Sequence, residues 1–140
     1  MIKIEKENIK PSTFTLPSNL IVRDPKFSGI MIDFRKCYDI AKKNLEPFKD
    51  KIEFIKKRSI DAVDDVPNNL DFVYIDADND YLPVLNDIKS YYPKVKKGGI
   101  ISGDDFSAEY HGVAKAVLEF ASENHLKVLG RGMDWWMIKE

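Results

Sequence analysis

Short apolar runs alternate along the chain with segments in which apolar residues recur at helical spacing. Four runs have the length and composition of strands, at residues 30–32, 52–55, 72–75 and 100–102. The third run also predicts a strand that is buried on both faces. Helical spacing begins near Tyr38, Leu82 and Val113, after the first, third and fourth runs. This repeated order of strand and helix predicts an α/β fold with a doubly wound, mostly parallel sheet.

Turn and capping residues set the expected bounds of these elements. Pro47 marks the end of the first helix, and Ser59 is placed to cap a short helical turn that closes at Pro67. The helix that begins at Leu82 should end at the lysines and glycines of residues 96–99. Positive charges and a left-handed glycine both suit a helix C-terminus.

Two last strands follow the final helix, at residues 127–129 and 135–138. The connection between them is too short for a parallel crossover, so this pair should be antiparallel. No repeat, linker or low-complexity tract divides the sequence. We therefore expect a single domain over residues 1–140, with an atypical N-terminal segment at 1–28 and a regular core at 29–140.

Composition narrows the class of protein without naming a function. The 140 residues are 44% hydrophobic and 32% charged, and the net charge of -1 gives no general attraction to nucleic acid or membrane. A single cysteine, Cys37, excludes an internal disulfide and a cysteine-based zinc cluster. The N-terminus lacks the apolar core of a signal peptide, and no apolar run approaches the length of a membrane span. We expect a cytoplasmic protein.

Carboxylates follow two of the predicted strands, at the point where each strand ends. These residues are Asp76, Asp78, Asp80, Asp104 and Asp105. Because neighbouring carboxylates repel each other, such a cluster is costly unless it binds something. In open α/β sheets, ligands sit at the carboxyl ends of the strands. The sequence therefore predicts a ligand site at this edge of the sheet.

Three segments taken together resemble class I S-adenosylmethionine-dependent methyltransferases, at residues 71–81, 94–106 and 111–117. The first contains Asp-Ala-Asp-Asn-Asp-Tyr, which is similar to the Asp-Ala-Asp-His-x-Tyr type motif of a small O-methyltransferase-like group. The terminal segment 134–139 is similar to that group's last strand. The resemblance covers roughly residues 29–139. It implies a methyltransferase Rossmann-like sheet, S-adenosylmethionine as cofactor and a small-molecule methyl acceptor.

The resemblance also implies cofactor-binding residues. Asp33 would accept hydrogen bonds from both ribose hydroxyls, which suits a carboxylate. Ser59 and Ile60 would border the adenine, and Asp76 would complete the cofactor pocket. From the residues alone, Asp33 fits a strand-end turn or helix cap as well as it fits a ribose ligand, and Ser59 fits a plain helix cap.

In metal-using members of the family, the corresponding acids hold a divalent cation that orients the acceptor and lowers its pKa. Asp76, Asp104 and Asp105 occupy those positions. Ligands that are all oxygens suit Mg²⁺ or Ca²⁺ better than Zn²⁺. The other interpretation is that these residues cap helices and form turns, although one cap does not require two adjacent aspartates.

Asn79 is a departure from the family at the catalytic motif formed by Asp76, Asp78 and Asn79. Family members carry a lysine or a histidine at the position of Asn79, and an amide cannot accept a proton at ordinary pH. The base is then Asp78 or His111, or the reaction needs no base, or the domain performs no transfer.

The N-terminal region departs from the family further. The glycine-rich loop after the family's first strand is missing, since Gly29 is the only glycine among the first 97 residues. The first-strand position could be filled by residues 20–23 running antiparallel, by residues 2–9 or by another chain. The remaining alternative is that the chain lacks the segment that carries this strand.

Two functions follow from these observations. The first is methyl transfer from S-adenosylmethionine to a hydroxyl of a small molecule or sugar, assisted by Mg²⁺ if the acidic cluster binds it. The alternative is a catalytically inactive, methyltransferase-like domain that acts in binding or assembly. A shortened sheet would leave apolar surface to cover, which favours a homo-oligomer. A dehydrogenase is disfavoured because no Gly-x-Gly-x-x-Gly motif is present.

Overall fold

The structure is a computed structural model that describes residues 34–140, with side chains from Cys37 onward. The predictions for residues 1–33, including the strand at 30–32, lie outside this part of the chain. The helices are α1 (Phe34–Leu45), α2 (Tyr81–Tyr91) and α3 (His111–Glu123). The strands are β1 (Leu70–Ile75), β2 (Val95–Gly103), β3 (Leu129–Arg131) and β4 (Asp134–Ile138). Short 3₁₀ helices span Glu46–Lys51, Ser59–Asp61, Val63–Asp65 and Tyr92–Lys94.

The four strands form one sheet in the order β1-β2-β4-β3. β1 and β2 are parallel, and α2 connects them, as a parallel pair requires. β4 pairs antiparallel with both β2 and β3, which confirms the predicted antiparallel pair at the end of the chain. β3 begins at Leu129, two residues later than expected. The predicted α/β fold is confirmed, and in the described part of the sheet one strand pair is parallel and two are antiparallel.

One face of the sheet is covered by α2 and α3, and the main hydrophobic core lies between them and the strands. The apolar stripes that the sequence shows on both helices point into this core, which also takes the inward residues of β2 and β4. The bulkiest fully buried side chains are Trp135, Ile88, Ile101, Met137, Val95 and Val117. The core therefore fixes the carboxyl ends of β1 and β2 relative to the two helices.

The opposite face of β1 is open among the described residues. Phe72 is 45% exposed, so the prediction of a strand buried on both faces is wrong for this strand. The hydroxyl of Tyr74 donates to Asp134 Oδ1 at 2.5 Å, and its ring stacks on Phe72 with centroids 6.2 Å apart. β1 is also an edge strand in the described part of the sheet, because only β2 pairs with it. This apolar run therefore forms a strand that is not buried on both faces.

The predicted strand at 52–55 is also wrong, because residues 52–56 have no regular secondary structure. Ile55 instead joins a second, smaller core cluster. The buried members of this cluster are Ile55, Ala62, Val66, Leu70 and Tyr91. Apolar alternation in this segment serves side-chain packing rather than backbone pairing, which periodicity alone cannot distinguish.

The end of the helix after Leu82 differs from the prediction. α2 ends at Tyr91, a 3₁₀ turn follows, and the lysines and glycines of 96–99 belong to β2. Gly98 has the left-handed φ of +76° that was expected, yet it serves an irregular stretch of the strand. Its N–H donates to the carbonyl of Lys139 at 2.7 Å, which extends the pairing towards the C-terminus.

The first helix agrees with its prediction: α1 ends at Leu45, and Pro47 lies in the first turn of the 3₁₀ helix that follows. Among the described residues, no helix is long and apolar enough to cross a membrane.

Candidate functional site

A small, shallow cleft that is open to solvent lies where β1 and β2 end side by side. Ile75, the last residue of β1, pairs with Gly103, the last residue of β2, so the acidic segments after both strands start at the same level. The lining residues are Ile75, Asp76, Asp78, Asn79, Val84, Asp104, Asp105, Val113 and Trp135. The structure thus brings the predicted catalytic and metal residues together at the predicted edge of the sheet.

The first wall of the cleft is the segment after β1. Asp76, Asp78 and Asn79 are all exposed to solvent. Asp78 Oδ1 accepts a hydrogen bond from the backbone N–H of Asp80 at 2.9 Å, which forms a local turn before α2. Asp80 stands at the N-cap of α2 without a side-chain capping bond. The wall is polar and open, with its carboxylates free to meet a ligand.

The second wall is the segment after β2, and the fold holds it tightly. The N–H of Asp104 donates to the carbonyl of Ile75 at 3.3 Å, and the N–H of Asp105 donates to Asp104 Oδ1 at 2.7 Å. Asp105 has a φ of +63°, a left-handed conformation that aspartate adopts more readily than most residues other than glycine.

The carboxyl of Asp105 has a shifted pKa. Burial raises its pKa above the ordinary value, and the negative charges of Asp104 and Asp76 raise it further. A hydrogen bond with the Asn79 side chain acts in the opposite direction. A carboxylate with a raised pKa is a stronger proton acceptor than an ordinary one. Asn79, which cannot itself act as a base, therefore contacts a residue that can.

The three predicted metal ligands share the cleft without converging on one point. Among residues 34–140, no group of three or more His, Cys, Asp or Glu side chains is arranged to hold a metal ion. Asp76, Asp104 and Asp105 do lie close enough for their charges to interact. The described arrangement therefore does not form a ready cation site, and the ligand set stays a prediction.

Two glycines and a tryptophan shape the base of the cleft. A Cβ on Gly103 would lie 2.4 Å from the carbonyl oxygen of Ile75 and 2.9 Å from Trp135 Nε1, so the indole packs directly against bare backbone. A Cβ on Gly112 would lie 2.5 Å from the carbonyl oxygen of Asn79, where α3 approaches the first wall. Within the described residues, the buried Nε1 of Trp135 has no hydrogen-bond partner. Larger residues at either glycine would separate the elements that form the cleft.

The predicted adenine-bordering residues lie outside the lining of this cleft. Ser59 opens a 3₁₀ turn, and Arg58, not Ser59, stands at its N-cap, so the capping interpretation of Ser59 is wrong. Ile60 is 46% exposed. His111 is exposed at the first position of α3. Asp33, the predicted ribose ligand, lies outside the described residues.

Sequence reasoning missed two residues that connect these parts. Asp87 on α2 is buried, with 5% of its surface exposed, and its carboxylate accepts a hydrogen bond from the Ser59 hydroxyl. Burial raises the pKa of Asp87, and the negative charge of Asp78 raises it further. Tyr91, one helical turn later, donates its hydroxyl to the carbonyl of Ser59 at 2.6 Å. One signal in the sequence could have identified this pair. Asp87 lies four residues before Tyr91 on the apolar side of a predicted helix, where a charged side chain is costly.

Solved structures with a similar fold include methyltransferases. An O-methyltransferase from Bacillus cereus in complex with SAH has a TM-score of 0.60 and 19% identity, over 74% of this chain and 59% of its own. MycE, a methyltransferase of the mycinamycin biosynthetic pathway solved with Mg, SAH and mycinamycin VI, has a TM-score of 0.52 and 15% identity. That match covers 64% of this chain and 32% of MycE. At these identities the likeness concerns the fold.

A relative by sequence is the uncharacterized protein R132 of Acanthamoeba polyphaga mimivirus, which is 40% identical over 73 residues. The match covers 46% of this chain and 33% of the viral protein. The chain thus spans less than two thirds of the length of each of these relatives. The sequence profile of a family described as "Methyltransferase domain" matches residues 14–106, more than half of the chain. The chain belongs to this methyltransferase-domain family.

Proposed function

We propose that this domain binds S-adenosylmethionine and transfers its methyl group to a hydroxyl oxygen of a small molecule or sugar. The observation that carries the proposal is the cleft in which the acidic ends of β1 and β2 meet, within a chain of the methyltransferase-domain family. The Bacillus cereus structure contains SAH, and MycE contains SAH together with a mycinamycin. Both support a nucleoside cofactor and a small-molecule acceptor for this chain.

Each residue of the cleft has a role in this proposal. Asp76 contacts the cofactor at the end of β1, and Asp33, Ser59 and Ile60 complete the nucleoside pocket. Asp78 and Asn79 face the acceptor on the open wall. Asp105 accepts the proton that the acceptor hydroxyl loses, because its pKa is raised and it is already in contact with Asn79.

The proposal does not require Mg²⁺, and the effect of the ion is to be tested. MycE was solved with Mg, and Asp76, Asp104 and Asp105 offer the oxygen ligands that this ion prefers. Bound there, the cation would offset the repulsion between the carboxylates and polarise an acceptor hydroxyl, and Asp105 would then act as a ligand instead of as the proton acceptor. The carboxylates would have to move together first, since they do not converge in the described arrangement.

Calorimetric titration with SAH tests the cofactor part of the proposal. We expect saturable binding by the wild type and at least tenfold weaker binding by Asp76→Ala, about the effect of losing a charge-assisted hydrogen bond. Asp71→Ala is the matched control, because Asp71 precedes the same apolar run and pairs with Lys96 away from the cleft. Wild-type protein that gives no heat with SAH would overturn the proposal.

The transfer itself is tested by incubating the protein with methyl-labelled S-adenosylmethionine and a panel of hydroxylated small molecules, in Mg²⁺ and in EDTA. Labelled product in Mg²⁺ alone supports metal assistance, and equal product in both refutes it. If SAH binds but no acceptor in a broad panel is methylated, the inactive binding or assembly domain becomes the better interpretation. The missing family base at Asn79 is the observation that favours this second function.

A further inference from the structure

The Ser59–Asp61 turn is held against α2 at two points. The Tyr91 hydroxyl donates to the carbonyl oxygen of Ser59 at 2.6 Å, and the Ser59 hydroxyl donates to the carboxylate of Asp87. Asp87 and Tyr91 are four residues apart on one helix and therefore face the same way. One residue of the turn is thus fixed through both its backbone and its side chain.

Both contacts are built into the interior of the protein. Asp87 is 5% exposed and Tyr91 is 6% exposed, and Tyr91 belongs to the smaller core cluster with Ala62 and Val66. A buried carboxylate is costly unless hydrogen bonds compensate, and an apolar residue would suit this helix face better for stability alone. Packing alone therefore does not explain why this buried position carries a carboxylate.

The segment that contains this turn is anchored farther along by Ala62 and Val66, which are buried in the smaller core cluster, whereas Ser59 is only partly buried and Ile60 is exposed. The segment consists of two single-turn 3₁₀ helices, neither of which has a side-chain capping bond. The ion pair between Arg58 and Asp61 is exposed, and pairs of this kind contribute little to stability. Yet Ile60, the next residue after Ser59, presents an apolar side chain that is 46% exposed. An apolar surface held in a fixed position is suited to contact a flat aromatic ring.

We propose that Asp87 and Tyr91 are positioning residues that fix Ser59 and Ile60 as a preformed edge for the purine base of the cofactor. The inference rests on the proposed function, because it takes the nucleoside of S-adenosylmethionine as the ligand. It adds two residues of α2 that do not touch the ligand and act through Ser59.

The test compares the affinities of SAH and S-inosylhomocysteine, which differ only at the edge of the purine. A preformed edge discriminates between the two bases, so Tyr91→Phe should bind SAH about fivefold more weakly, the effect of one lost hydrogen bond, and lose most of this discrimination. Asp87→Ala should do the same, and Asp87→Asn, whose amide oxygen can still accept from Ser59, should restore part of it.

Tyr92→Phe is the matched control, because Tyr92 packs on Phe120 in the main core and is the neighbouring tyrosine. It should keep the wild-type affinity and discrimination. A purely structural role of Asp87 and Tyr91 would weaken both ligands equally and leave the discrimination intact, which would overturn the inference. So would Tyr91→Phe and Asp87→Ala proteins that bind both ligands as the wild type does.

Hydrogen exchange of the ligand-free protein separates this inference from the proposed function. Amides of residues 60–62 should exchange faster in Tyr91→Phe and Asp87→Ala than in wild type and Tyr92→Phe, because the hydrogen bonds that restrain the turn are lost. Unchanged exchange would overturn the inference while leaving SAH binding untouched. Failure of the wild type to bind SAH would instead overturn the proposed function and, with it, the purine as the ligand of this edge.

Discussion

The two acidic strand ends look alike in sequence and differ in structure. After β1, the residues from Asp76 to Asp80 are all exposed, and the one hydrogen bond within them forms a local turn. After β2, Gly103 is buried, and the N–H groups of Asp104 and Asp105 are both bonded. The N–H of Phe106 then donates to the carbonyl of Met133 at 2.8 Å.

This difference assigns separate tasks to the two walls of the cleft. The wall after β2 is held by contacts to β1 and to residue 133, and it carries charge repulsion at Asp105. The wall after β1 is exposed to solvent from Asp76 to Asp80, although α3 packs closely against its end at Asn79. A preorganised wall that opposes a solvent-exposed one suits a site that must hold a cofactor and admit an acceptor.

The largest effect is expected where the second wall leaves β2. In Gly103→Ala the new Cβ would collide with the carbonyl of Ile75 and with the buried Trp135, so strand or indole must shift. We expect a loss of about 2–3 kcal/mol in the free energy of unfolding, measured by urea denaturation. Gly130→Ala is the control, since its Cβ would come no closer than 3.3 Å to the carbonyl of Asp134. A Gly103→Ala protein as stable as this control would contradict the close packing of this wall.

A smaller effect, of opposite sign, is expected at Asp105. Because its folded-state pKa lies above the unfolded value, the folded protein binds the proton more tightly, and stability falls as pH rises from about 4 through the folded pKa. Asp105→Asn removes this loss and still tolerates the left-handed φ. We expect the variant to be more stable than the wild type at pH 7 and no more stable than the wild type at pH 3.

Urea denaturation of wild type and Asp105→Asn between pH 3 and pH 8 measures this difference. The same variant should lose methyl transfer, since an amide cannot accept a proton. A stability difference that is constant with pH would show that the charge of Asp105 is not strained in the folded state.

The smallest effect is expected on the open wall. Asp78→Ala removes the side-chain bond to the N–H of Asp80, in a segment where all these groups are exposed. We expect a loss of no more than about 0.5 kcal/mol by the same denaturation assay. Asp78→Asn is the control, because its amide oxygen can keep the bond. A loss as large as that of Gly103→Ala would mean that the two walls are equally constrained.

Much of the fold could be predicted from the sequence because its signals are local. The stripes of α2 and α3 and the apolar runs at β1 and β2 are strong periodic patterns, and a short connection forces an antiparallel pair. The prediction of a strand at 52–55 was wrong because apolar alternation also occurs in a segment whose Ile55 packs into a core while its backbone pairs with no strand. The predicted end of α2 was wrong because lysine and glycine suit both a helix terminus and an irregular strand.

Some features of the site could likewise be predicted from the sequence and others could not. Five acidic and amide residues of the motif segments were expected at one edge, and the structure brings them into one cleft, because parallel strands end at the same side of a sheet. The roles assigned to Ser59, Ile60, Asp76, Asp104 and Asp105 stay predictions for the experiments above. Asp87, Tyr91 and Trp135 could not be assigned from the chain, since each acts through residues far from it in sequence.

The acidic ends of β1 and β2 could be recognised from the chain alone, because an apolar run and the aspartates that follow it are adjacent residues. The difference between these two ends, one held by long-range contacts and one exposed to solvent, depends on the packing of the fold. The contacts that make the difference join Gly103 to Trp135 and Phe106 to Met133, partners separated along the chain by the whole of α3. Which residues meet across such distances depends on how the helices and strands pack, and local pattern carries no information about that packing.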